Sequence, residues 1–416
     1  MQAVDSLAMV RYGWAAGTGA WAGLRHHWSS APGRRYPHVV TTPAGRGPTL
    51  AYQGFPEGLT YVLPYLRSQQ TGAQGASGRP EERAPGARGG ALTTEEAPLG
   101  WRRIRRGALS PDADILVIGC SRRRAFALPR TRSLVLPFRV HALLDVVGDA
   151  EAMHRSVSPN ERRQFANLRR KHRWTYERST SVEDLRFFYE RMHRPTMASR
   201  HGEETRSTDW SLALRALFRQ GVLLFVNEAG KRVAGVLCRT EDGGRTLRMR
   251  LLGVLDGDEA HYASGAAKAV YYLTMEWAAG HGVRRIDFAG ADPFPGRGVF
   301  QFKRRFRPTI AHPEDHYRDR RVYVRVVRDT CAVRDFLVAT PMLTVDEAGR
   351  IGATYFQDAG RPARLNIRAD CPGVHGSHIV DLDAFLGRPS PVRGTSARHA
   401  APVTPGPATA SMHEAR

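Results

Sequence analysis

The residues best suited to chemistry lie in one stretch, Val283–Phe306, which reads VRRIDFAGADPFPGRGVFQFKRRF. Within it Phe302 comes directly before Lys303. A lysine held beside an apolar aromatic side chain offers a fixed positive charge, which stabilises the negative charge that develops on a carbonyl oxygen during acyl transfer. The residues alone also allow a plainer interpretation. Three arginines follow within four positions, as in a solvated basic cluster.

The other polar residues of this stretch also have two interpretations each. Asp287 is predicted either to orient an acceptor amine or act as a base, or to form a structural ion pair with an arginine. The loop that contains Asp292 is either a substrate-binding loop over the site or a tight turn, because glycines and prolines set its backbone path. The candidate catalytic residues are thus Lys303 and Asp287, and the candidate substrate-binding residues are Phe302, Asp292 and Gly298.

A second candidate site is the start of a predicted helix over Gly265–Ala279. Backbone N–H groups at a helix start have no partner within the helix and bind phosphate groups readily. Gly265, Ala267 and Lys268 stand at this start. Simple close packing of the small residues is the alternative, and three carboxylates at 256, 258 and 259 would repel a phosphate unless they point away.

These two sites need a framework of helices and strands, which the hydrophobic pattern predicts from Ser158 onward. Ser158 and Glu161 are spaced as a capping box that starts a helix ending near His172, and Ser181 is predicted to cap the next helix. A third helix covers about 210–218, followed by a meander of strands over 222–226, 233–238 and 246–255. The strand over 283–288 follows a crossover helix, so it should pair in parallel with a neighbour.

The stretch from about Ala150 to Pro308 resembles the FemAB-like branch of the GNAT acyltransferases. The matching segments are SPNERRQFANLRRKHRW, EDLRFFYERMHRPT, VLLFVNEAGKRVAGVLC and IDFAGADPFPGRGVFQFKRRF. The resemblance implies a GNAT-type α/β fold and acyl-coenzyme A as donor, with its phosphates on Gly265, Ala267 and Lys268. It also implies that Lys303 is the lysine that faces the transferring carbonyl. The chain departs from the family where Tyr262 replaces the leading cation of the phosphate turn, and where Arg307 follows Phe306.

This resemblance sets the predicted domain organisation. Residues 1–68 and 101–150 would form a first α/β half, a candidate second GNAT-like copy, with strands over Asp114–Gly119 and Ser133–Leu144. Residues 151–320 would form the GNAT-like domain, and 321–387 a small β-rich C-terminal region containing the strand-like pieces VYVRVV, IGATYF, RLNIRA and SHIVDL. Residues 69–100 and 388–416 are predicted to be disordered because they are rich in glycine or proline and poor in large apolar residues.

The resemblance and the composition together leave three functions open. Lys and Arg total 62 against 40 Asp and Glu, a net charge of +22 that favours polyanionic partners. The first function is transfer of an acyl group from acyl-coenzyme A to an amine of a sugar, lipid or small molecule. The second is aminoacyl transfer from aminoacyl-tRNA, and the third is nucleic-acid binding without catalysis. We expect no metal, no disulfide framework, no transmembrane segment and a cytoplasmic location.

Overall fold

The computed structural model describes residues 10–14, 20–31, 33–70, 92–106, 113–201 and 208–387. Its helices are α1 Ala20–Ser29, α2 Glu57–Tyr61, α3 Leu63–Gln70, α4 Trp101–Arg105, α5 Arg122–Phe126, α6 Ala150–Ser156, α7 Pro159–His172, α8 Val182–Phe187, α9 Arg194–His201, α10 Trp210–Leu212, α11 Glu259–Ala263, α12 Ala266–Ala279, α13 Gly298–Arg304, α14 Cys331–Ala339 and α15 Leu382–Leu386. Shorter turns of π or 3₁₀ pitch, among them Phe188–His193 and Ala213–Leu217, extend some of these helices.

The strands are β1 Arg35–Thr42, β2 Leu50–Gly54, β3 Leu92–Gly100, β4 Ile115–Ser121, β5 Ser133–Pro137, β6 Val140–Asp145, β7 Thr175–Ser179, β8 Gly221–Glu228, β9 Lys231–Glu241, β10 Thr246–Val254, β11 Arg285–Ala291, β12 Thr309–Ala311, β13 Arg320–Val326, β14 Met342–Val345, β15 Ile351–Gln357 and β16 Val374–Asp381. They form a first sheet in the order β3-β1-β2-β4-β13-β5, a second in the order β12-β6-β11-β10-β9-β8-β7, and a third in the order β14-β15-β16. The predicted α/β class is confirmed.

The second sheet positions the candidate site. As the pattern predicts, β8, β9 and β10 form an antiparallel meander, α12 crosses over, and β11 pairs with β10 in parallel. That parallel pairing covers only Thr246–Arg248 against Arg285–Asp287. Beyond Arg248 and Asp287 the two strands run on without pairing each other. A gap therefore opens between the carboxyl ends of β10 and β11.

The two large sheets exchange strands, which the predicted boundaries at 150 and 320 do not follow. β6 belongs by sequence to the first half, yet it pairs with β11 and β12 in the second sheet. β13, assigned to the C-terminal region, lies between β4 and β5 in the first sheet. Strand periodicity shows which face is buried and does not identify the partner strand. The two halves are thus joined through their sheets.

Three local predictions are wrong or concern residues outside the described part of the chain. The predicted disordered segment 69–100 ends in β3, whose residues 92–100 pair with β1, and its residues 71–91 lie outside the described part of the chain. The tail 388–416 also lies outside that part. The piece RLNIRA forms turns instead of a strand. Its side chains do not alternate between buried and exposed positions, as they would in a half-buried strand.

The two predicted helix caps behave differently. Ser181 caps α8, because its Oγ accepts the N–H of Asp184 at 3.2 Å. Ser158 precedes α7 but makes no capping hydrogen bond with its side chain. Glu161, the other member of the predicted capping box, is buried, and its carboxylate lies 2.7 Å from Nζ of Lys268 on α12. The capping box therefore does not form, since a tertiary ion pair holds its glutamate.

We expect Ser181→Ala to lower the free energy of unfolding by about 1 kcal/mol, because a first-turn N–H of α8 loses its acceptor. Ser158→Ala is the matched control and should change it by less than about 0.5 kcal/mol. Urea unfolding followed by circular dichroism measures both values. Equal losses in the two variants would show that the capping bond at Ser181 is not what stabilises α8.

Candidate active site

Lys303 lies on α13 with its ammonium group directed into the protein. The residue is 5% exposed, and Nζ donates hydrogen bonds to the backbone oxygens of Ala289 and Gly290, each at 3.0 Å. These two carbonyls stand near the end of β11, where that strand has already separated from β10. The solvated-cluster interpretation is therefore wrong for Lys303, although Arg305 and Arg307 after it are exposed.

A bulge in β11 brings these two carbonyls to Lys303. The register of β11 against β6 shifts between Asp287 and Gly290, and Ala289 has φ of 63°. A left-handed backbone is strained for a residue with a Cβ atom. In a regular strand neighbouring carbonyls point to opposite sides, whereas the bulge turns those of Ala289 and Gly290 toward one ammonium group. Local strain at this point thus serves to hold Lys303.

Asp287 holds the bulge in place, and both of its carboxylate oxygens have partners. Its Oδ1 accepts the N–H of Ala289 at 2.8 Å. Its Oδ2 lies 2.8 Å from Nδ1 of His141 and 3.0 Å from Nε of Arg248. Burial acts to raise the pKa of Asp287, but His141, Arg248 and the Ala289 N–H outweigh burial and hold that pKa at about 2. The structural ion pair is thus the better interpretation, and a base of such low pKa is poorly suited to take a proton from an amine.

The same surroundings lower the pKa of Lys303. Burial lowers its pKa from 10.5 to about 8, and the negative charge of Asp287 opposes part of this lowering. Lys303 therefore keeps its positive charge at neutral pH but stands close to losing it. A cation in a site that excludes water interacts strongly with developing negative charge, because water screens it little.

Two residues of this site were missed from the sequence. Arg248 faces Asp287 at the last paired position of β10 and β11, and its Nη2 also lies 3.1 Å from Glu241. An arginine inside a strand of buried residues was the available signal for it. His141 comes from β6, about 150 positions before Asp287 in the chain, and its other ring nitrogen lies 4.0 Å from Asp315. No pattern in the sequence connects His141 to this site.

The residues predicted to contact phosphate at the start of α12 make contacts within the protein. Lys268 is held by Glu161, and the N–H groups of Lys268 and Ala269 both bond to the oxygen of Gly265. Gly265 has φ of +89°, and a Cβ there would stand 3.0 Å from Cδ1 of Leu168 on α7. Ala267 packs against the core of the second sheet. These contacts favour the close-packing interpretation of the small residues.

The predicted substrate-binding residues have structural contacts as well. Asp292 pairs with Arg297 at 2.9 Å, and the following Phe294 is fully buried and stacks on Tyr65 of α3 at 4.7 Å between ring centroids. The loop therefore packs against the first half of the chain. Gly298 begins α13. Phe302 packs edge-on against Tyr271 of α12 at 4.9 Å. Their role in substrate binding stays a prediction.

Two features are absent from the described ranges. Across residues 10–387, apart from the gaps given above, no group of three or more His, Cys, Asp or Glu side chains is arranged to hold a metal ion. Within the same ranges no helix combines the length and apolar character needed to cross a membrane.

Comparison with solved structures gives distant similarities. FemX shares 13% identity at a TM-score of 0.36, over 78% of this chain and 96% of FemX. L-PGS from Bacillus licheniformis shares 10% identity at 0.33, over 79% and 94%. The C-terminal domain of a putative lysylphosphatidylglycerol synthetase from Agrobacterium fabrum shares 12% at 0.32, over 82% and 98%. Because all three TM-scores are below 0.5, we base no functional inference on these similarities.

Comparison with curated proteins finds no match. A family model described as an acetyltransferase (GNAT) domain matches residues 155–304. The match includes β7 to β11 and ends on α13 directly after Lys303, so it contains both Asp287 and Lys303, while His141 lies outside it. The diverging parallel pair that follows an antiparallel meander agrees with the fold implied by the sequence resemblance. Residues 155–304 of this chain are therefore a GNAT-type domain.

Proposed function

We propose that this protein is an N-acyltransferase that moves an acyl group from an activated ester or thioester to an amine of a sugar, lipid or small molecule. One observation carries the proposal. The ammonium group of Lys303 is buried where β10 and β11 diverge and is held by two carbonyls of a strained bulge. A buried cation is costly to keep, so its presence beside the part of β11 that has separated from β10 favours a role in chemistry.

The reaction follows from this geometry. The amine nitrogen bonds to the carbonyl carbon of the donor, and the carbonyl oxygen becomes an oxyanion beside Lys303. Collapse of this intermediate breaks the bond to the donor thiolate or alkoxide, which takes the proton released by the amine. Lys303 supplies charge without giving up its proton. Asp287 acts as a positioning residue, because it holds the backbone of Ala289.

Acyl-coenzyme A is the first candidate donor, as the GNAT resemblance implies. A second candidate, aminoacyl-tRNA, is favoured by a specific observation. Lys268 lies in the first turn of α12, where the family resemblance predicts the phosphates of coenzyme A, and its ammonium group is held by Glu161. On the neighbouring α7, Arg163, Arg170 and Lys171 are exposed and suit the phosphates of an RNA.

Donor binding separates these candidates. If acyl-coenzyme A is the donor, acetyl-coenzyme A at 100 times its Kd should stabilise the protein by about 2.7 kcal/mol in thermal unfolding. If aminoacyl-tRNA is the donor, acetyl-coenzyme A should have no effect, and aminoacyl-tRNA should bind with an affinity that falls steeply between 50 and 200 mM salt. Transfer to a mixture of amine acceptors is then measured with the donor that binds. RNA binding without any transfer would contradict the proposed function and support a nucleic-acid-binding protein.

A further inference from the structure

A cavity lies apart from the contacts of Lys303. It has a volume of about 830 Å³ and opens between the start of α7, the end of α13 and the segment that leads into β16. Four arginines line it: Arg304, Arg305, Arg307 and Arg368. Arg304 and Arg305 follow Lys303 directly, so α13 connects this cavity to the candidate active site.

The charges in the cavity are not balanced. Asp370 pairs with both Arg304, at 3.3 Å, and Arg368, at 2.7 Å. The only other carboxylate in the lining is that of Glu161, which lies 3.8 Å from Arg305 and already pairs with Lys268 outside the lining. Arg307 is exposed and forms no ion pair with a carboxylate in the described part of the chain. A positive excess therefore faces the cavity, centred on Arg305 and Arg307.

Arginine clusters of this kind suit phosphate. The guanidinium group is planar and offers paired N–H donors that match two phosphate oxygens at once. Arg305 has 46% of its side chain exposed, so its N–H groups are accessible to a ligand. Hydroxyl and amide groups of Ser158, Asn160, Gln164 and Ser377 make up much of the remaining lining. Ser158 does not cap α7, which leaves its hydroxyl available for such a contact.

The lining also indicates which chemical group the ligand carries besides phosphate. No aromatic side chain is among the lining residues, so the cavity provides no ring on which a nucleobase could stack. Hydroxyl and amide groups instead match the hydroxyls of a sugar or polyol. We propose that this cavity binds a phosphate ester of a sugar or polyol, either as a free molecule or as the headgroup of a lipid. The inference that this ligand is the acceptor rests on the proposed function. The inference that the cavity binds such a ligand does not.

Binding without any donor tests this inference. Isothermal titration at 150 mM salt, where long-range attraction between surface charges is screened, compares glucose 6-phosphate with glucose. Sedimentation with phosphatidylglycerol vesicles, against phosphatidylcholine vesicles, tests the lipid form. The Arg305→Ala/Arg307→Ala double variant removes the two cations that do not depend on Asp370. Arg102→Ala/Arg103→Ala is the matched control, since it removes two exposed arginines of α4 that do not line this cavity.

We expect at least one phosphate probe to bind, with at least tenfold weaker binding in the cavity variant and less than twofold change in the matched control. Arginine-dependent binding of glucose 6-phosphate identifies a soluble ligand, and binding of vesicles alone identifies a lipid headgroup; either result supports the site. Failure of both probes, or equal losses in the two double variants, overturns it. Lys303→Ala should bind the probe like the wild type, so loss of transfer with retained binding separates this site from the catalytic proposal.

Discussion

Replacing Lys303 with methionine is expected to lower kcat/KM for acyl transfer by about 10²- to 10³-fold, the usual cost of removing one group that stabilises an oxyanion. Methionine is close to lysine in length and fills the same space without the charge. Lys303→Arg keeps a positive charge and should retain part of the activity. Steady-state kinetics with the donor identified by binding measures all three proteins.

Lys231→Met is the control for this prediction. Lys231 begins β9 and is exposed, so its replacement should leave kcat/KM within twofold of the wild-type value. Circular dichroism and thermal unfolding check that the Lys303 variants are folded. A folded Lys303→Met protein with more than half of the wild-type kcat/KM would refute the role of Lys303 in catalysis.

Replacing Asp287 with alanine is expected to lower the free energy of unfolding by about 3–5 kcal/mol, because His141 and Arg248 lose a buried partner. The bulge at Ala289 also loses the hydrogen bond that holds it. Asp145→Ala is a matched control, since Asp145 pairs with Arg285 at 3.0 Å across β6 and β11 but is exposed. Its effect should stay below about 1 kcal/mol. Urea unfolding at pH 7 compares the two variants.

The stability of the protein at acid pH gives a second test of the role of Asp287. Its pKa is lowered from 3.8 to about 2 in the folded protein, so the unfolded chain binds the proton first as the pH falls. The contribution of its ionised form is complete above about pH 4 and disappears as the pH falls through 2, a change of about 2 kcal/mol. The difference in unfolding free energy between wild type and Asp287→Ala should therefore become smaller as the pH falls. A difference that does not change with pH, or an Asp145→Ala effect of equal size, would contradict the role assigned to the buried pair.

Much of the second half could be predicted because its pattern is local. The period of apolar residues places α7, α12 and β8 to β11 close to their observed positions, and a crossover helix implies a parallel strand. Lys303 was also found from the sequence, through an aromatic–lysine pair within a family motif. Its burial could not be read from spacing, since three arginines follow it within four positions, as in a solvated cluster.

The remaining features depend on contacts between distant segments. β6 and β13 have ordinary strand patterns, and only tertiary pairing decides which sheet each joins. His141 reaches Asp287 through that exchange. Glu161 fits a capping box in sequence, but Lys268 takes its carboxylate. The Gly290–Gly298 loop has the composition of a turn, and nothing in it shows that Phe294 fills the core of the first half.

The pH dependence of transfer, expressed as the ratio of wild-type to Lys303→Arg kcat/KM, tests most directly whether Lys303 acts as a cation. The ratio cancels the titration of the acceptor amine, which is the same for both proteins. Because burial lowers the pKa of Lys303 to about 8 while an arginine stays charged, the ratio should be constant below pH 7 and fall about tenfold per pH unit well above 8. A ratio that rises through pH 8 would mean that neutral Lys303 is the active form, and would contradict charge stabilisation of the oxyanion.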